Sequence, residues 1–181
     1  MNFTPLVAAL DNIEVEKNGF GKVVTLARNA RHRSNRVYFI GNGGSAAIAS
    51  HMAIDWLNKG HFAAMSFTDP AALTCIGNDY GYNQVFKYQV MHHLDPGDLL
   101  FVISSSGRSS NVVEAAKFAN MVCKVITLTG FDHDNDLRKL GTVNFYVPSR
   151  SYGVVETAHL AIMHELLELV TDPQVDFVDK V

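Results

Sequence analysis

A serine-rich turn between an apolar run and a helical pattern constrains this chain more than any other feature. Residues 103–111 read I-S-S-S-G-R-S-S-N, directly after the apolar run at residues 99–102. A strand-to-helix turn of this kind directs backbone N–H groups and hydroxyls at one point beside the positive end of a helix dipole, as a phosphate ester requires. Gly107 would let the backbone approach the anion closely. Taken alone, the segment also fits an ordinary polar loop in which Ser109 or Ser110 caps the helix.

A second turn of the same type favours the phosphate interpretation. Residues 41–45 read G-N-G-G-S, and they also follow a strand-like run, 37–40, and precede a helical stretch, 46–57. Because ligands of open α/β sheets bind at the carboxyl ends of the strands, both turns are expected to line one crevice. The dinucleotide fingerprint G-x-G-x-x-G is met only in its weak alanine form, with Ala46 in the last place, and no G-K-S/T of a Walker loop occurs.

Strand-like and helix-like segments alternate along the chain, and this alternation predicts the fold class. The predicted strands are 37–40, 62–67, 99–103, 124–129 and 143–147, of which 62–67 is expected to be buried. The predicted helices are 45–58, 69–76, 83–92, 110–121, 132–140 and 154–171, preceded by two helices or one broken helix within 4–30. No Asn-Gly hairpin joins adjacent strands, so we expect right-handed crossovers and a three-layer α/β/α sandwich with a five-stranded parallel sheet.

Composition and charge exclude several classes of protein. With 181 residues, of which 48% are hydrophobic, the chain fits one domain over 1–181, with an N-terminal helical segment at 1–35 and a C-terminal tail at 172–181. A net charge of -3 without lysine or arginine blocks argues against nucleic acid, and no apolar run can span a membrane. The amino terminus carries no secretory signal, so we expect a cytoplasmic location. The basic run at 31–36 predicts a solvated connector, with phosphate contact as the alternative.

The two cysteines, Cys75 and Cys123, lie among apolar neighbours and lack the C-x-x-C spacing of a redox or metal motif. We therefore expect both to be reduced residues of the core. Neither a disulfide nor a cysteine-based metal site is predicted.

Two of the predicted helices carry residues suited to acid–base chemistry or metal binding. His51 and Asp55 stand four residues apart, which places an imidazole and a carboxylate on one helix face. The last helix carries Glu156, His159 and His164, of which Glu156 and His164 lie about two turns, roughly 12 Å, apart. Each set also has a plain structural interpretation, a surface His–Asp pair in the first case and a packed core histidine in the second. Spacing alone does not decide between them.

A series of motifs identifies a family. The motifs are G-N-G-G-S-A-A-x-x-x-H at 41–51, G-N-D-Y-G at 77–81, I-S-S-S-G-R-S-S-N at 103–111, V-I-T-L-T-G at 125–130 and E-T-A-H-L-A-I-M-H at 156–164. Over residues 37–170 the chain resembles the sugar isomerase (SIS) domain, specifically its sedoheptulose-7-phosphate isomerase, or phosphoheptose isomerase, branch.

The resemblance implies a fold, an assembly and an activity. The family folds as a flavodoxin-like α/β/α sandwich with a five-stranded parallel sheet and forms homotetramers whose active sites lie between subunits. It interconverts a ketose phosphate and an aldose phosphate, such as sedoheptulose 7-phosphate and D-glycero-D-manno-heptose 7-phosphate, often with zinc near the catalytic groups.

The resemblance also implies roles for individual residues. The family's catalytic positions fall on Asp55 and His164, and its metal-binding positions fall on His51, Asp55, Glu156 and His164. Its substrate-binding positions, which hold the sugar phosphate, fall on Asn42, Gly43, Gly44, Ser45, Asp79, Ser104, Ser105, Ser106 and Ser109.

The chain departs from the family pattern in three places. Asp55 replaces the family's glutamate base and is one methylene shorter, so its carboxylate reaches less far. Glu156 replaces a metal-binding glutamine, and the added charge should strengthen the hold on a divalent cation. Residues 153–156 read G-V-V-E where the family has D-R-I-Q, and the segment after Asp55 is shorter, so we expect different walls around the substrate.

Two functions follow as hypotheses. The first is an isomerase in which one of Asp55 and His164 removes a proton beside the carbonyl and the other moves the hydroxyl proton of an ene-diol. Zinc would polarise the carbonyl or orient these groups, although nickel, cobalt or iron would accept the same ligands. The second is a non-catalytic SIS module that binds a phosphosugar or a protein partner.

The last helix also predicts assembly. Its apolar residues include Leu160, Met163, Leu167 and Val170 in addition to an inward face, and one sheet cannot cover them all. We therefore expect a homotetramer of closed symmetry.

Overall fold

Five parallel strands form the sheet. In the computed structural model, which describes residues 3–174, the strands are β1 (Arg36–Gly41), β2 (Ala63–Ser66), β3 (Leu99–Ser104), β4 (Lys124–Thr129) and β5 (Val143–Tyr146). Their spatial order is β2-β1-β3-β4-β5, and every neighbouring pair is parallel. This is the order of a flavodoxin-like sheet, so the predicted three-layer sandwich is confirmed. The predicted tail, apart from residues 172–174, lies outside the described residues.

Helices cover both faces of the sheet. One face carries α1 (Thr4–Asp11), α2 (Gly19–His32), α3 (Gly44–Asn58) and α7 (Tyr152–Thr171), and the other carries α4 (Pro70–Tyr80), α5 (Lys87–His93) and α6 (Ser110–Ala119). Side chains alternate along β1, so that Val37 and Phe39 join the core under α3 and α7, whereas Tyr38 and Ile40 join the core under α5 and α6. Within residues 3–174, no helix is long and apolar enough to cross a membrane.

The two N-terminal helices pack on α7. The sequence predicted an uncovered apolar stripe on α7. Its residues Met163, Leu167 and Val170 are instead buried within the single chain. Arg28 of α2 also donates hydrogen bonds to the carbonyl oxygens of Leu169 and Val170, at 2.9 and 3.2 Å, where the end of α7 leaves them unpaired. The argument that α7 needs cover from another subunit is therefore wrong, because α1 and α2 supply it.

Two element predictions differ from the structure on the α4 side of the sheet. The run 62–67 predicted a buried strand, but β2 lies at the edge of the sheet and alternates between exposed and half-buried residues. An apolar run of this length does not reveal whether its strand is central or at an edge. The predicted break at Gly77 is also wrong, because α4 continues to Tyr80 and ends at Gly81, whose φ of 88° suits glycine.

The segment predicted as a helix at 132–140 is a loop with one 3₁₀ turn at Leu137–Lys139. Asn135 is buried, and its side chain takes the place of helical hydrogen bonds. Its Nδ2 donates to the carbonyl oxygen of Asp132 at 2.8 Å, and its Oδ1 accepts from the backbone N–H of Arg138 at 2.9 Å. A buried side-chain amide therefore holds this loop.

Both cysteines are free, but only one approaches the core. Cys75 is exposed on α4, so its predicted burial is wrong, and its thiol donates to Asp79 Oδ2 at 3.6 Å. Cys123 is half-buried, and burial raises the pKa of its thiol to about 12. The Cys123 thiol is therefore not suited to act as a thiolate nucleophile or ligand at neutral pH.

The connector between α1 and α2 pairs with β5. Glu14 and Tyr146 exchange two backbone hydrogen bonds, each of 2.9 Å. The Glu14 carboxylate accepts a hydrogen bond from Arg138 Nη2 at 2.8 Å and lies 3.1 Å from His133 Nε2. The hydrogen bond from Arg138 lowers the pKa of Glu14 below its ordinary value, so the side chain is charged at neutral pH and anchors the connector.

His159, one of the titratable residues noted in the last helix, lies in the core and has no exposed surface. Its Nε2 is 3.1 Å from the carbonyl oxygen of Thr129, and since a carbonyl only accepts, Nε2 carries the proton of the neutral ring. Its Nδ1 has no hydrogen-bond partner in the described part of the chain. Burial lowers the pKa of His159 to about 4, so the ring stays neutral near pH 7 and serves packing.

We expect His159 to make the fold sensitive to acid. The pKa of the ring is 6.5 in the unfolded chain and about 4 in the folded chain. The contribution of the neutral ring to the free energy of unfolding is therefore fully present above pH 6.5 and is lost as the pH falls toward 4. The difference between the two pKa values corresponds to a loss of roughly 3 kcal/mol in the free energy of unfolding. Urea unfolding at about pH 7 and about pH 5 should show this loss, and His159→Gln should reduce it. The matched control is exposed His32→Gln, and an equal loss in wild type and His159→Gln would refute the assignment.

Candidate active site

The two predicted phosphate turns meet at the carboxyl ends of β1 and β3. Gly41 and Ile103 are paired in the sheet, so the turns that follow them begin side by side. Between the turns and the start of α7 lies a cavity of about 290 Å³. Its lining consists of Asn42, Gly43, Gly44, Ser45, Ser104, Ser105, Ser106, Ser109, Tyr152 and Glu156.

Glycine is required at a defined point of each turn. Gly43, which precedes α3, has a φ of 56°, and Gly107 of the serine-rich turn has a φ of 61°. A side chain at Gly107 would also collide with the buried amide of Asn135. Both turns therefore adopt backbone conformations that other residues disfavour, and they bring the starts of α3 and α6 to the cavity.

The serine hydroxyls of the second turn are not equivalent. Ser104 Oγ accepts a hydrogen bond from the backbone N–H of Gly107 at 3.2 Å, and Ser106 Oγ accepts one from Arg108 at 3.3 Å. Ser105 is buried and lines the cavity, yet its Oγ has no partner among residues 3–174. Because a buried hydroxyl normally has a hydrogen-bond partner, the Ser105 hydroxyl indicates a ligand with acceptor oxygens.

An amide pair joins the two turns, and this pair was not predicted. Asn42 Nδ2 donates to Asn111 Oδ1, and Asn111 Nδ2 donates to Asn42 Oδ1, each at 2.9 Å. The Tyr82 hydroxyl donates to Asn42 Oδ1 at 3.2 Å from the segment after α4. Asn111 is the last residue of the serine-rich motif, but the spacing of residues within the motif does not indicate which distant side chain it contacts.

A second cluster lies farther along α3 and α7. His51 Nε2 and His164 Nδ1 are 3.6 and 3.8 Å from Asp55 Oδ2. The two imidazole rings are edge to face, with centroids 5.3 Å apart, and ligand atoms of all three residues lie within 4.8 Å of one another. Lys59 Nζ approaches the same Asp55 oxygen at 3.8 Å. His51 and Asp55 are therefore more than a surface pair, because α7 supplies a third member.

Glu156 lies in the serine cavity of the same chain and not in the cluster of His51, Asp55 and His164. A side chain at Gly44 would collide with its carboxylate, so Glu156 faces the start of α3. The structure thus brings together three of the four predicted metal ligands.

Asp79 is exposed near the end of α4 and does not line the cavity. Its carboxylate accepts a hydrogen bond from Asn78 Nδ2 at 2.8 Å. Among the predicted substrate-binding residues, Asp79 is the one that a single chain leaves outside the cavity. The basic run at 31–36 covers the end of α2, the connector at 33–35 and the first residue of β1, and none of its residues lines the cavity.

The cavity and the cluster are separated along two parallel helices. Gly44 faces Glu156 at the start of α3 and α7, and Asp55 approaches His164 farther along both, so the helices run in the same direction. With a rise of about 1.5 Å per residue, Gly44 and His51 are about 10 Å apart along the axis of α3, and Glu156 and His164 are about 12 Å apart along the axis of α7. A ligand held in the cavity must extend along these helices to meet the histidines.

The sequence profile of the SIS domain matches residues 3–130. The chain belongs to the SIS domain family. The phosphoheptose isomerase of Aliarcobacter butzleri (strain RM4018) is 36% identical over 165 residues, which cover 87% of each chain. That of Helicobacter hepaticus (strain ATCC 51449 / 3B1) is 38% identical over 142 residues, or 75% of this chain and 72% of the relative.

Solved structures of phosphoheptose isomerases are also similar to this SIS chain. The phosphoheptose isomerase GmhA from Neisseria gonorrhoeae superposes with a TM-score of 0.78 at 34% identity, over 84% of this chain and 86% of that one. A phosphoheptose isomerase from Francisella tularensis gives a TM-score of 0.82 at 26% identity, over 93% and 92%. The resemblance recognised from the motifs, to the SIS domain and its phosphoheptose isomerase branch, is confirmed.

Proposed function

We propose that this SIS protein is an aldose–ketose isomerase that acts on a phosphosugar. The observation that carries the proposal is the cavity between the two strand-end turns, where the unpartnered Ser105 hydroxyl and the starts of α3 and α6 suit a phosphate. The relatives named phosphoheptose isomerase, at 36% and 38% identity, support the same activity. The cytoplasm stays the predicted location.

The proposed chemistry uses Asp55 and His164. One of the two removes the proton from C1 of the ketose, which produces an ene-diol, and returns it to C2, while the other moves the hydroxyl proton from O1 to O2. Their side chains are 3.8 Å apart, so both can reach neighbouring atoms of one substrate. Position supports the pair, because no other carboxylate in the described chain contacts both histidines of the cluster.

The separation of cavity and cluster favours a long substrate. A phosphate among the serines leaves about 10 Å to the histidines along α3 and α7, which a triose phosphate is too short to bridge. A ketose with its phosphate far from the carbonyl is suitable, and we propose sedoheptulose 7-phosphate, converted to D-glycero-D-manno-heptose 7-phosphate. The phosphate would be held by Ser45, Ser104, Ser105, Ser106 and Ser109, with Asn42, Gly43 and Gly44 beside it and Asp79 as a further predicted contact.

We propose zinc as the metal of the cluster. Two imidazoles and a carboxylate whose donor atoms lie within 4.8 Å fit this ion, and His51 is half-exposed, so further ligands have access. His51, Asp55 and His164 would hold it, and Glu156 stays a predicted fourth ligand that the single chain does not bring to the others. When bound, zinc would polarise an oxygen of the substrate as a Lewis acid.

We also propose a homotetramer, for a reason different from the one the sequence suggested. Ile54 and Leu57 of α3 are 61% and 48% exposed, and Ile54 lies about one helical turn after His51 on a neighbouring part of the helix surface. A partner subunit that covers Ile54 would also close the cluster from solvent. Light scattering at micromolar concentration should give a tetramer, and Ile54→Glu should shift it to smaller species. A monomeric wild type would contradict the proposal.

The proposed activity is tested by incubating the protein with a panel of ketose phosphates, including sedoheptulose 7-phosphate, and following aldose products by NMR. Formation of an aldose phosphate supports the isomerase. Saturable phosphosugar binding without any product would instead select a non-catalytic SIS module, an alternative that the enzyme names of the relatives do not favour.

A further inference from the structure

The residues that follow β4 contact both the serine-rich turn and the segment that leads into α7. The backbone N–H of Gly130 donates a hydrogen bond to the carbonyl oxygen of Ser105 at 3.0 Å. The next N–H, that of Phe131, donates to the carbonyl oxygen of Ser149 at 2.9 Å. Two consecutive backbone groups therefore connect the two sides, and we call residues 130–132 the bridging segment.

The contact at Gly130 is too close for a side chain. A Cβ atom on this residue would lie 2.8 Å from Cγ1 of Val155 on α7 and 3.2 Å from the carbonyl oxygen of Ser105. The backbone of the bridging segment thus packs directly between α7 and the serine-rich turn. Because protein interiors are close-packed, this backbone sets the distance between the two elements.

Phe131 adopts a backbone conformation that bulky residues disfavour, with a φ of 56°. Its carbonyl oxygen accepts a hydrogen bond from the Tyr146 hydroxyl at 2.9 Å, and its ring packs edge to face on Tyr152, with centroids 4.7 Å apart. These contacts hold the conformation in place. A disfavoured conformation that the surrounding structure maintains often marks a functional constraint.

The carboxylate of Asp132 joins two arginines from opposite sides of the bridging segment. Its Oδ2 lies 3.5 Å from Nε of Arg108 in the serine-rich turn, and its Oδ1 accepts a hydrogen bond from Nη2 of Arg150, two residues before α7. An isolated exposed ion pair contributes little to stability, whereas a network of several charges can contribute more. The side chain of Asp132 thus repeats the connection that the backbone of the bridging segment makes.

We propose that Asp132 is a positioning residue, which holds the serine-rich turn and the start of α7 at the separation that phosphosugar binding requires. This inference rests on the proposed function, because it takes the cavity between these elements as the substrate site. Asp132 is not among the residues that line the cavity, so it acts through Arg108 and Arg150 and not by touching the ligand.

The sign of the effect separates positioning from simple electrostatics. A carboxylate near a phosphate site repels the ligand, so the loss of its charge alone should strengthen binding. The positioning role predicts the opposite for a phosphosugar, because the ligand needs both walls of the cavity. Asp134 provides the matched comparison: it lies 3.4 Å from Arg108 and carries the same charge, but no ion pair of the described residues joins it to Arg150.

The test measures two affinities by calorimetry, one for sedoheptulose 7-phosphate and one for inorganic phosphate. Asp132→Asn should weaken phosphosugar binding about fivefold, which corresponds to an interaction at the upper end of the range for exposed ion pairs. It should leave the binding of inorganic phosphate unchanged or slightly tighter, since that ligand does not span the two walls. Asp132→Glu should restore phosphosugar binding, and Asp134→Asn should not weaken it.

A double-mutant cycle shows whether Asp132 acts through Arg150. Arg150→Gln should weaken phosphosugar binding by a similar factor, and the double variant should lose little more, because both substitutions remove one bridge. Additive losses would overturn the proposal. Unchanged or tighter phosphosugar binding in Asp132→Asn, or equal weakening of both ligands, would also overturn it. Because binding is measured without turnover, a wild type that binds the sugar but forms no aldose refutes the isomerase alone.

Discussion

Asp55→Asn is expected to lower kcat for isomerisation on the order of a thousandfold, the range typical of a lost general acid or base. The amide keeps the shape of the carboxylate but cannot take a proton. Asp55 is mostly buried, with 16% of its side chain exposed, and its Oδ2 approaches both His51 and His164. The substitution therefore removes the carboxylate that joins the two histidines. The measurement is NMR of the aldose product at saturating sedoheptulose 7-phosphate.

Two variants accompany Asp55→Asn. Asp55→Glu lengthens the side chain by one methylene and should keep measurable turnover, since the carboxylate remains and only its reach changes. Asp11→Asn, exposed at the end of α1, should retain wild-type kcat. Full turnover by Asp55→Asn on every phosphosugar that the wild type isomerises would show that Asp55 transfers no proton.

His51→Ala is expected to weaken zinc binding by at least about a hundredfold. Loss of a hydrogen bond to a metal ligand already lowers affinity about 10- to 100-fold, and loss of a ligand should cost no less. His51 contributes one of the three donor groups that lie within 4.8 Å of one another. Elemental analysis of tag-free protein supplied with zinc should give about one ion per wild-type chain and much less in the variant.

His32→Ala is the matched control for zinc binding, because His32 is exposed at the end of α2 and lies outside the cluster. It should keep the wild-type zinc content. If wild type and His51→Ala are both free of transition metal after zinc is supplied, the three residues form a polar cluster without a metal. Zinc that stays stoichiometric in His51→Ala would place the ion elsewhere in the chain.

The strand-end turns were predictable because their signal is local. All five predicted strands end within one residue of the observed ends, because short apolar runs bounded by turns mark the strands of a parallel sheet. The carboxyl ends of parallel strands share one edge of the sheet, so the meeting of Ser45 with Ser104 followed from topology. The roughly 12 Å between Glu156 and His164 also follows from helical rise alone.

Contacts between distant segments were not predictable in the same way. The amide pair of Asn42 and Asn111 depends on the relative placement of two turns, and many polar residues at such positions face water instead. The cover that α1 and α2 give to α7 depends on where short helices dock, which the pattern of Met163 and Leu167 does not specify. The segment around Asn135 has the apolar spacing of a helix but forms a loop, because the Asn135 side chain supplies the hydrogen bonds that a helical backbone would make.

The pairing of Glu14 with Tyr146 also bears on how the protein resists aggregation. An unpaired strand edge can template the addition of a strand from another molecule, and proteins commonly cover or shorten such edges. The Glu14 bridge occupies part of the β5 edge, and the side chains of Arg138 and His133 hold it in place. At the opposite edge, β2 is only four residues long. One edge of the sheet is thus partly covered and the other edge strand is short. Few unpaired backbone groups remain at the edges to pair with a strand of another molecule.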